Sequence, residues 1–88
     1  MSVFVVEDEM HSEPFGKFSS YAEALAELKT LATVPWDREP NQCPCVDWKT
    51  CSREYEIIEY DNSSETFWPE LSRARVLSIS AKGVIWRS

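Results

Sequence analysis

The chain has 88 residues, a hydrophobic content of 43%, a charged content of 27% and a net charge of −6. Its length is that of one domain with a small core, and its composition is that of a globular protein rather than a disordered or fibrous one. Nucleic acid is an unsuitable partner for so acidic a chain, because duplex affinity depends on neutralising phosphates.

The first ten residues, MSVFVVEDEM, do not resemble a signal peptide. They lack a basic start, and acidic residues directly follow the short apolar run at residues 3–6. No stretch of the chain approaches the roughly 18 apolar residues that a membrane helix needs. We therefore expect a cytoplasmic protein without membrane contacts, in which cysteines are reduced by default.

The N-terminal third predicts a strand, a loop and a helix. Residues 3–6, VFVV, are apolar on both alternating faces, which indicates an interior strand. The following EDEMHSEPFG contains Pro14 and Gly16 and predicts a loop. A helix is predicted over residues 20–32, where Ser20 and Glu23 form a capping box. Its apolar stripe consists of Tyr21, Leu25, Leu28 and Leu31 or Ala32.

The helix is expected to end before Pro35, and residues 35–52 then show no periodicity. A connection of this length is well above the usual 4–6 residues and needs packing contacts of its own. Trp36 and Trp48 are the expected anchors of this loop, because buried aromatic side chains remove the most area from water.

Three strands are predicted after the loop, over residues 53–61, 74–80 and 84–88, with a turn at Gly83 between the last two. The first is acidic and the second begins with Arg73 and Arg75, so we expect them to pair side by side. The chain then forms one α+β domain over residues 1–88. This is a two-layer sandwich of one helix on a sheet of about four strands, in the order β-α-β-β-β with a C-terminal antiparallel meander.

Neither face of the predicted sheet is plainly polar, although one helix covers only one face. The second face therefore requires a cover, either the 35–52 loop or another copy of the protein. We expect Ile58, Tyr60 and Trp86 to contribute to an interface with a protein partner or within a homodimer.

The segment PNQCPCVDWKTC, residues 40–51, holds Cys43, Cys45 and Cys51. A structural zinc site needs four ligands, and the only histidine, His11, belongs to a different segment. A single histidine among acidic residues predicts a solvated surface side chain. The C-x-x-C pair of redox proteins is absent. Three interpretations remain open: small buried thiols, a zinc or other metal site, and a redox site.

Several stretches together resemble a family of short uncharacterised bacterial proteins. They are FSSYAEALAEL, ATVPWDREPNQCPCVDWKTCSREYEIIEYD and SAKGVIW, and they span most of the chain. The resemblance implies a small self-contained bacterial protein and assigns no activity, cofactor or catalytic residue.

No recognisable set of catalytic residues is present. A cysteine nucleophile needs a neighbouring base, and the only cysteine–histidine pairing available is His11 with Cys45 or Cys51. The sequence thus predicts a protein that binds another protein or itself, without catalysis or a cofactor. The alternative is a thiol-based metal or redox protein that uses Cys43, Cys45 and Cys51.

Overall fold

The computed structural model describes residues 2–44 and 49–87 and contains an antiparallel sheet with a helix on one face. The elements in chain order are β1 (Ser2–Asp8), β2 (Glu13–Phe18), α1 (Tyr21–Leu31), β3 (Ser52–Asp61), β4 (Glu70–Ser80) and β5 (Gly83–Trp86). The five strands lie in the order β2-β1-β3-β4-β5. The α+β class and the C-terminal meander are therefore confirmed, whereas the four-stranded sheet is not.

The additional strand is β2, which the sequence predicted to be part of a loop. Pro14 is tolerated because β2 is an edge strand, where a missing N–H can face away from the sheet. Gly16 adopts φ 145°, and an added Cβ there would lie 3.1 Å from the Phe18 ring. Phe15 and Phe18 pack against the core and fix the strand to the sheet.

Helix α1 begins as predicted. Ser20 Oγ accepts a hydrogen bond from the Glu23 amide at 3.2 Å, while the Glu23 carboxylate accepts hydrogen bonds from the Ser19 and Ser20 hydroxyls at 2.5 and 3.2 Å. The buried face differs slightly from the predicted stripe and consists of Ala24, Leu28 and Leu31. Tyr21 is exposed and Leu25 is half-buried.

The core lies between α1 and one face of the sheet, where Val6, Tyr55, Ile57, Leu77 and Ile79 are buried. The first part of the 35–52 loop, which includes Trp36 and Asn41, lies on this same side of the sheet. Trp36 packs against the core, and Asn41 is hydrogen-bonded both to the end of α1 and to Tyr55.

Part of the second face is covered by a segment that was not among the expected covers. Strand register places Lys17 opposite Val5 and Val5 opposite Ile58, so the three share this face. Lys17 Nζ lies 5.1 Å from the centre of the Trp68 ring. Trp68, from the connection between β3 and β4, therefore covers part of the second face, and the end of the 35–52 loop, residues 49–51, borders this face beside Glu54 and Ile85.

Charged side chains fill much of the remaining second face. Glu56 is nearly buried and accepts a hydrogen bond from Arg73 at 2.5 Å. Glu54 accepts hydrogen bonds from the hydroxyls of Ser52 and Ser78 at 2.8 and 2.6 Å. The predicted pairing of the acidic and basic strands is thus confirmed. Burial raises the pKa of Glu56, although Arg73 opposes the shift.

Candidate metal centre

Three side chains of types that can ligate a metal converge at one end of the sheet from distant parts of the chain. His11 lies in the turn between β1 and β2, Cys43 in the loop after α1, and Cys51 directly before β3. One ligand atom from each lies within 4.8 Å of the other two. Cys43 is buried, while His11 and Cys51 are partly accessible. The group is therefore enclosed on one side and open on another.

The carboxylate of Asp8 contacts the imidazole of His11. Its side chain is fully buried, and its Oδ2 lies 2.5 Å from His11 Nδ1. Its other oxygen, Oδ1, accepts hydrogen bonds from the amides of Met10 and Glu54 at 3.1 and 3.0 Å. A histidine held at Nδ1 by a carboxylate has a fixed ring orientation and a more basic Nε2, which is the usual arrangement behind metal-bound imidazoles.

Arg53 links Asp8 to the segment that precedes Cys43. Its guanidinium is buried and donates hydrogen bonds to Asp8 Oδ2 at 2.9 Å and to Glu13 Oε1 at 2.5 Å. It also donates to three consecutive backbone carbonyls, at 2.9 to 3.2 Å, those of Pro40, Asn41 and Gln42. Burial acts to lower the pKa of Arg53, but the hydrogen bonds to the two carboxylates outweigh it and raise the pKa. The cation is therefore permanent.

Asn41 attaches the same segment to the helix and the sheet. Its buried amide donates to the carbonyls of Leu31 and Val34, both at 2.8 Å, and its Oδ1 accepts from the Tyr55 hydroxyl at 2.9 Å. Burial raises the pKa of Tyr55, so this hydroxyl keeps its proton. Asn41 and Arg53 together fix the backbone two residues before Cys43.

The spacing of the three donors suits a small tetrahedral ion. With Zn–S of about 2.3 Å and Zn–N of about 2.0–2.1 Å, neighbouring ligand atoms in a tetrahedral site lie about 3.4–3.8 Å apart. The observed upper limit of 4.8 Å exceeds this by about 1 Å, which small side-chain rotations can supply. Two sulfurs and one imidazole nitrogen form a donor set that favours Zn²⁺ over Mg²⁺ or Ca²⁺.

The predicted site residues are distributed as follows. Cys43 and Cys51 come together, whereas Cys45 and the predicted anchor Trp48 lie outside the described residues and stay predictions. His11 was predicted to be a solvated surface side chain, and this is wrong, because its side chain is 12% exposed and its ring contacts Asp8. Asp8, Arg53 and Asn41 were not among the predicted site residues.

The residues predicted to form an interface differ in accessibility. Ile58 is fully buried and offers no surface to a partner. Tyr60 is half-buried at the far end of β3, and Trp86 is 44% exposed on β5. Of the three, Trp86 is the most available for contact.

Comparisons with protein-family models, with curated proteins and with solved structures found no match. The resemblance to a bacterial family therefore stays a prediction. Within residues 2–44 and 49–87, no helix has both the length and the apolarity that crossing a membrane requires.

Proposed function

We propose that this chain binds a zinc ion through His11, Cys43 and Cys51. The observation that carries the proposal is the convergence of these three donors, from three separate segments, within 4.8 Å. Asp8 supports the proposal, because metal-bound histidines commonly use their other ring nitrogen to bond a carboxylate, as His11 Nδ1 does with Asp8. The ion would join the β1–β2 turn, the loop after α1 and the start of β3.

The fourth ligand position decides between two kinds of site. A fourth protein ligand closes a structural site, whereas a water molecule leaves the ion open to substrate. Cys45, which the sequence named with Cys43 and Cys51 as a candidate metal ligand, is the residue to test for this position. Cys51 also lines a cavity of 510 Å³, so solvent can approach the site from that side.

The experiment begins with protein that is purified without chelator and analysed for metals. We expect close to one equivalent of zinc, and after its removal a Co²⁺ complex with thiolate charge-transfer bands and intense tetrahedral d–d bands. Cys43→Ser, Cys51→Ser and His11→Gln should each weaken binding strongly. Met10→Gln is the matched control, because Met10 lies in the same turn and is exposed.

Cys45→Ser then distinguishes the two kinds of site. Loss of about one thiolate from the Co²⁺ charge-transfer intensity would make Cys45 the fourth ligand, and unchanged bands would indicate water. Less than about one-tenth equivalent of bound metal after reconstitution, with variants indistinguishable from the parent, would refute the zinc proposal. Circular dichroism of each variant shows whether the fold is retained.

The same geometry offers a second candidate function, a cysteine nucleophile. Asp8, His11 and a neighbouring thiol follow the acid–base–nucleophile order of cysteine hydrolases. Zinc remains the better proposal, since two sulfurs converge on the imidazole and a nucleophile requires only one. Metal-free protein distinguishes the two, because an activated thiolate at Cys51 would be alkylated rapidly near neutral pH and His11→Gln would slow that reaction.

A further inference from the structure

The β5 edge of the sheet has backbone groups directed away from the domain. In the described part of the chain, β5 pairs with β4 alone. The Arg87 amide donates to the Val76 carbonyl at 2.7 Å, which makes this a hydrogen-bonded pair. Since such pairs alternate along an antiparallel ladder, Ile85 also faces β4, while the N–H and C=O groups of Val84 and Trp86 point outward. A further strand could bind there through up to about four main-chain hydrogen bonds.

Two cavities flank this edge, one on each face of the sheet. On the helix side, a cavity of 220 Å³ is lined mainly by apolar residues, among them Val34, Trp36, Ile79 and Val84. On the other side, the described residues that line the cavity of 510 Å³ include Ile85, the cations Lys49, Lys82 and Arg87, and one carboxylate, that of Glu54. The β5 edge therefore separates an apolar cavity from a basic one.

We propose that β5 binds an extended peptide segment in which an acidic residue lies between two apolar residues. Side chains alternate between the two faces of a strand, so successive residues of an added strand meet the two cavities in turn. The residues opposite Val84 and Trp86 lie on the helix side, above the apolar cavity. The residue opposite Ile85 lies above Lys49, Lys82 and Arg87. Arg87 is oriented toward this face by a 3.0 Å hydrogen bond from its Nε to Ser78 Oγ.

Charge disfavours a second copy of this chain as the occupant. Antiparallel pairing of β5 with itself would bring Lys82 and Arg87 of each copy close to the same cations of the other, and like charges across strands are destabilising. The acidic peptide reverses the sign of that interaction. The opposite edge, β2, is less suited to an added strand, because Pro14 removes one donor and Gly16 departs from strand geometry.

Binding at the β5 edge requires no metal ion and can be tested separately from metal binding. The probe is a terminally blocked peptide, Gly-Ser-Val-Glu-Val-Ser-Gly, titrated into ¹⁵N-labelled full-length protein. We expect the amide signals of Val84, Ile85 and Trp86 to shift in the ¹H–¹⁵N spectrum. The same peptide with lysine in place of glutamate should bind severalfold more weakly, because the charge reversal replaces an attraction to the cations of this face by a repulsion.

Two pairs of variants test the role of the edge. Trp86→Pro removes an outward N–H that β4 does not use, and Trp86→Ala is its matched control because both lack the indole. The proline variant should bind about tenfold more weakly than the alanine variant. Lys82→Glu should weaken binding of the glutamate peptide, whereas Lys29→Glu, on the exposed face of α1, should not.

Each of three results would overturn the proposal. Absence of shifts at the β5 amides up to about 1 mM peptide removes the binding site. Binding that survives Trp86→Pro places the peptide elsewhere. Concentration-dependent shifts of the same amides without peptide would show that a second copy occupies the edge.

Discussion

Replacement of Arg53 by lysine tests how the candidate metal centre is held in place. The arginine is 3% exposed and its guanidinium reaches five acceptors at once, two carboxylates and three backbone carbonyls. Lysine keeps the positive charge beside Asp8 and Glu13. The lysine ammonium carries all its donors on one nitrogen, so it cannot reach the five acceptors that the planar guanidinium contacts. Arg53→Lys therefore separates the contribution of geometry from that of charge.

The expected loss follows from the acceptors left behind. Three buried or partly buried carbonyls lose a charged donor, and a hydrogen bond to a charged group contributes about 1.5–3 kcal/mol when its partner is otherwise unsatisfied. Partial access of water reduces this, so we expect a total of about 2–4 kcal/mol. A small domain has only about 5–15 kcal/mol of stability, and 1 kcal/mol corresponds to about 4–8 °C at this chain length. The melting temperature should therefore fall by about 10–30 °C.

Urea and thermal unfolding, followed by circular dichroism, measure this loss directly. Arg75→Lys is the matched control, because Arg75 contacts Glu9 at the exposed surface and should melt within a few degrees of the parent. Metal titration adds a second measurement, since Arg53→Lys should loosen the segment before Cys43 and weaken binding. If Arg53→Lys and Arg75→Lys melt alike and bind metal alike, the assigned role of the guanidinium is wrong.

Three further predictions concern the core and its edges. Leu28→Ala should lower the free energy of unfolding by about 2–5 kcal/mol, because Leu28 is fully buried. Leu25→Ala should lower it clearly less, because Leu25 is half-buried. Equal losses in the two variants would contradict the assigned helix face. Ser20→Ala should cost about 1 kcal/mol through the lost N-cap, and an unchanged urea midpoint would argue against the cap. Burial raises the pKa of Tyr55, so its hydroxyl stays protonated in the folded protein, whereas the same side chain in the unfolded chain ionises near pH 10. Stability should therefore fall as the pH rises above about 10, and tyrosinate absorbance should show one of the three tyrosines ionising only on unfolding.

The elements that the sequence predicted correctly have strong local patterns. Helix α1 has a capping residue at its start, an apolar stripe along its length and a proline beyond its end. Strands β3 and β5 are rich in β-branched and aromatic residues, and a two-residue turn joins β4 to β5. Strand β2 has the opposite character, because Pro14 and Gly16 are typical of turns. Pairing with β1 and the packing of two phenylalanines overcome that local preference.

The candidate site could be predicted only in part, for a physical reason. The spacing of Cys43 and Cys51 is local and visible, but the position of His11 depends on pairing between β1 and β3. That pairing places Asp8 opposite Tyr55, and Asp8 accepts a hydrogen bond from the Glu54 amide across 46 positions in the chain. Arg53 itself lies in the buried run of β3, and a buried arginine is nearly always paired. The identity of its partner requires the sheet register.

The anchors of the loop determine how the metal would bind. Asn41 and Arg53 already fix the backbone before Cys43 through hydrogen bonds to α1, to β3 and to consecutive carbonyls. Asp8 fixes the imidazole of His11 from a fully buried position. Two of the three ligands are thus oriented by protein contacts, and the ordering cost that binding would otherwise include is correspondingly smaller. A zinc finger, by contrast, folds only when its metal binds. In this domain the core cluster between α1 and the sheet does not include His11, Cys43 or Cys51. The ion would therefore add stability to a loop and turn that buried hydrogen bonds already hold in place.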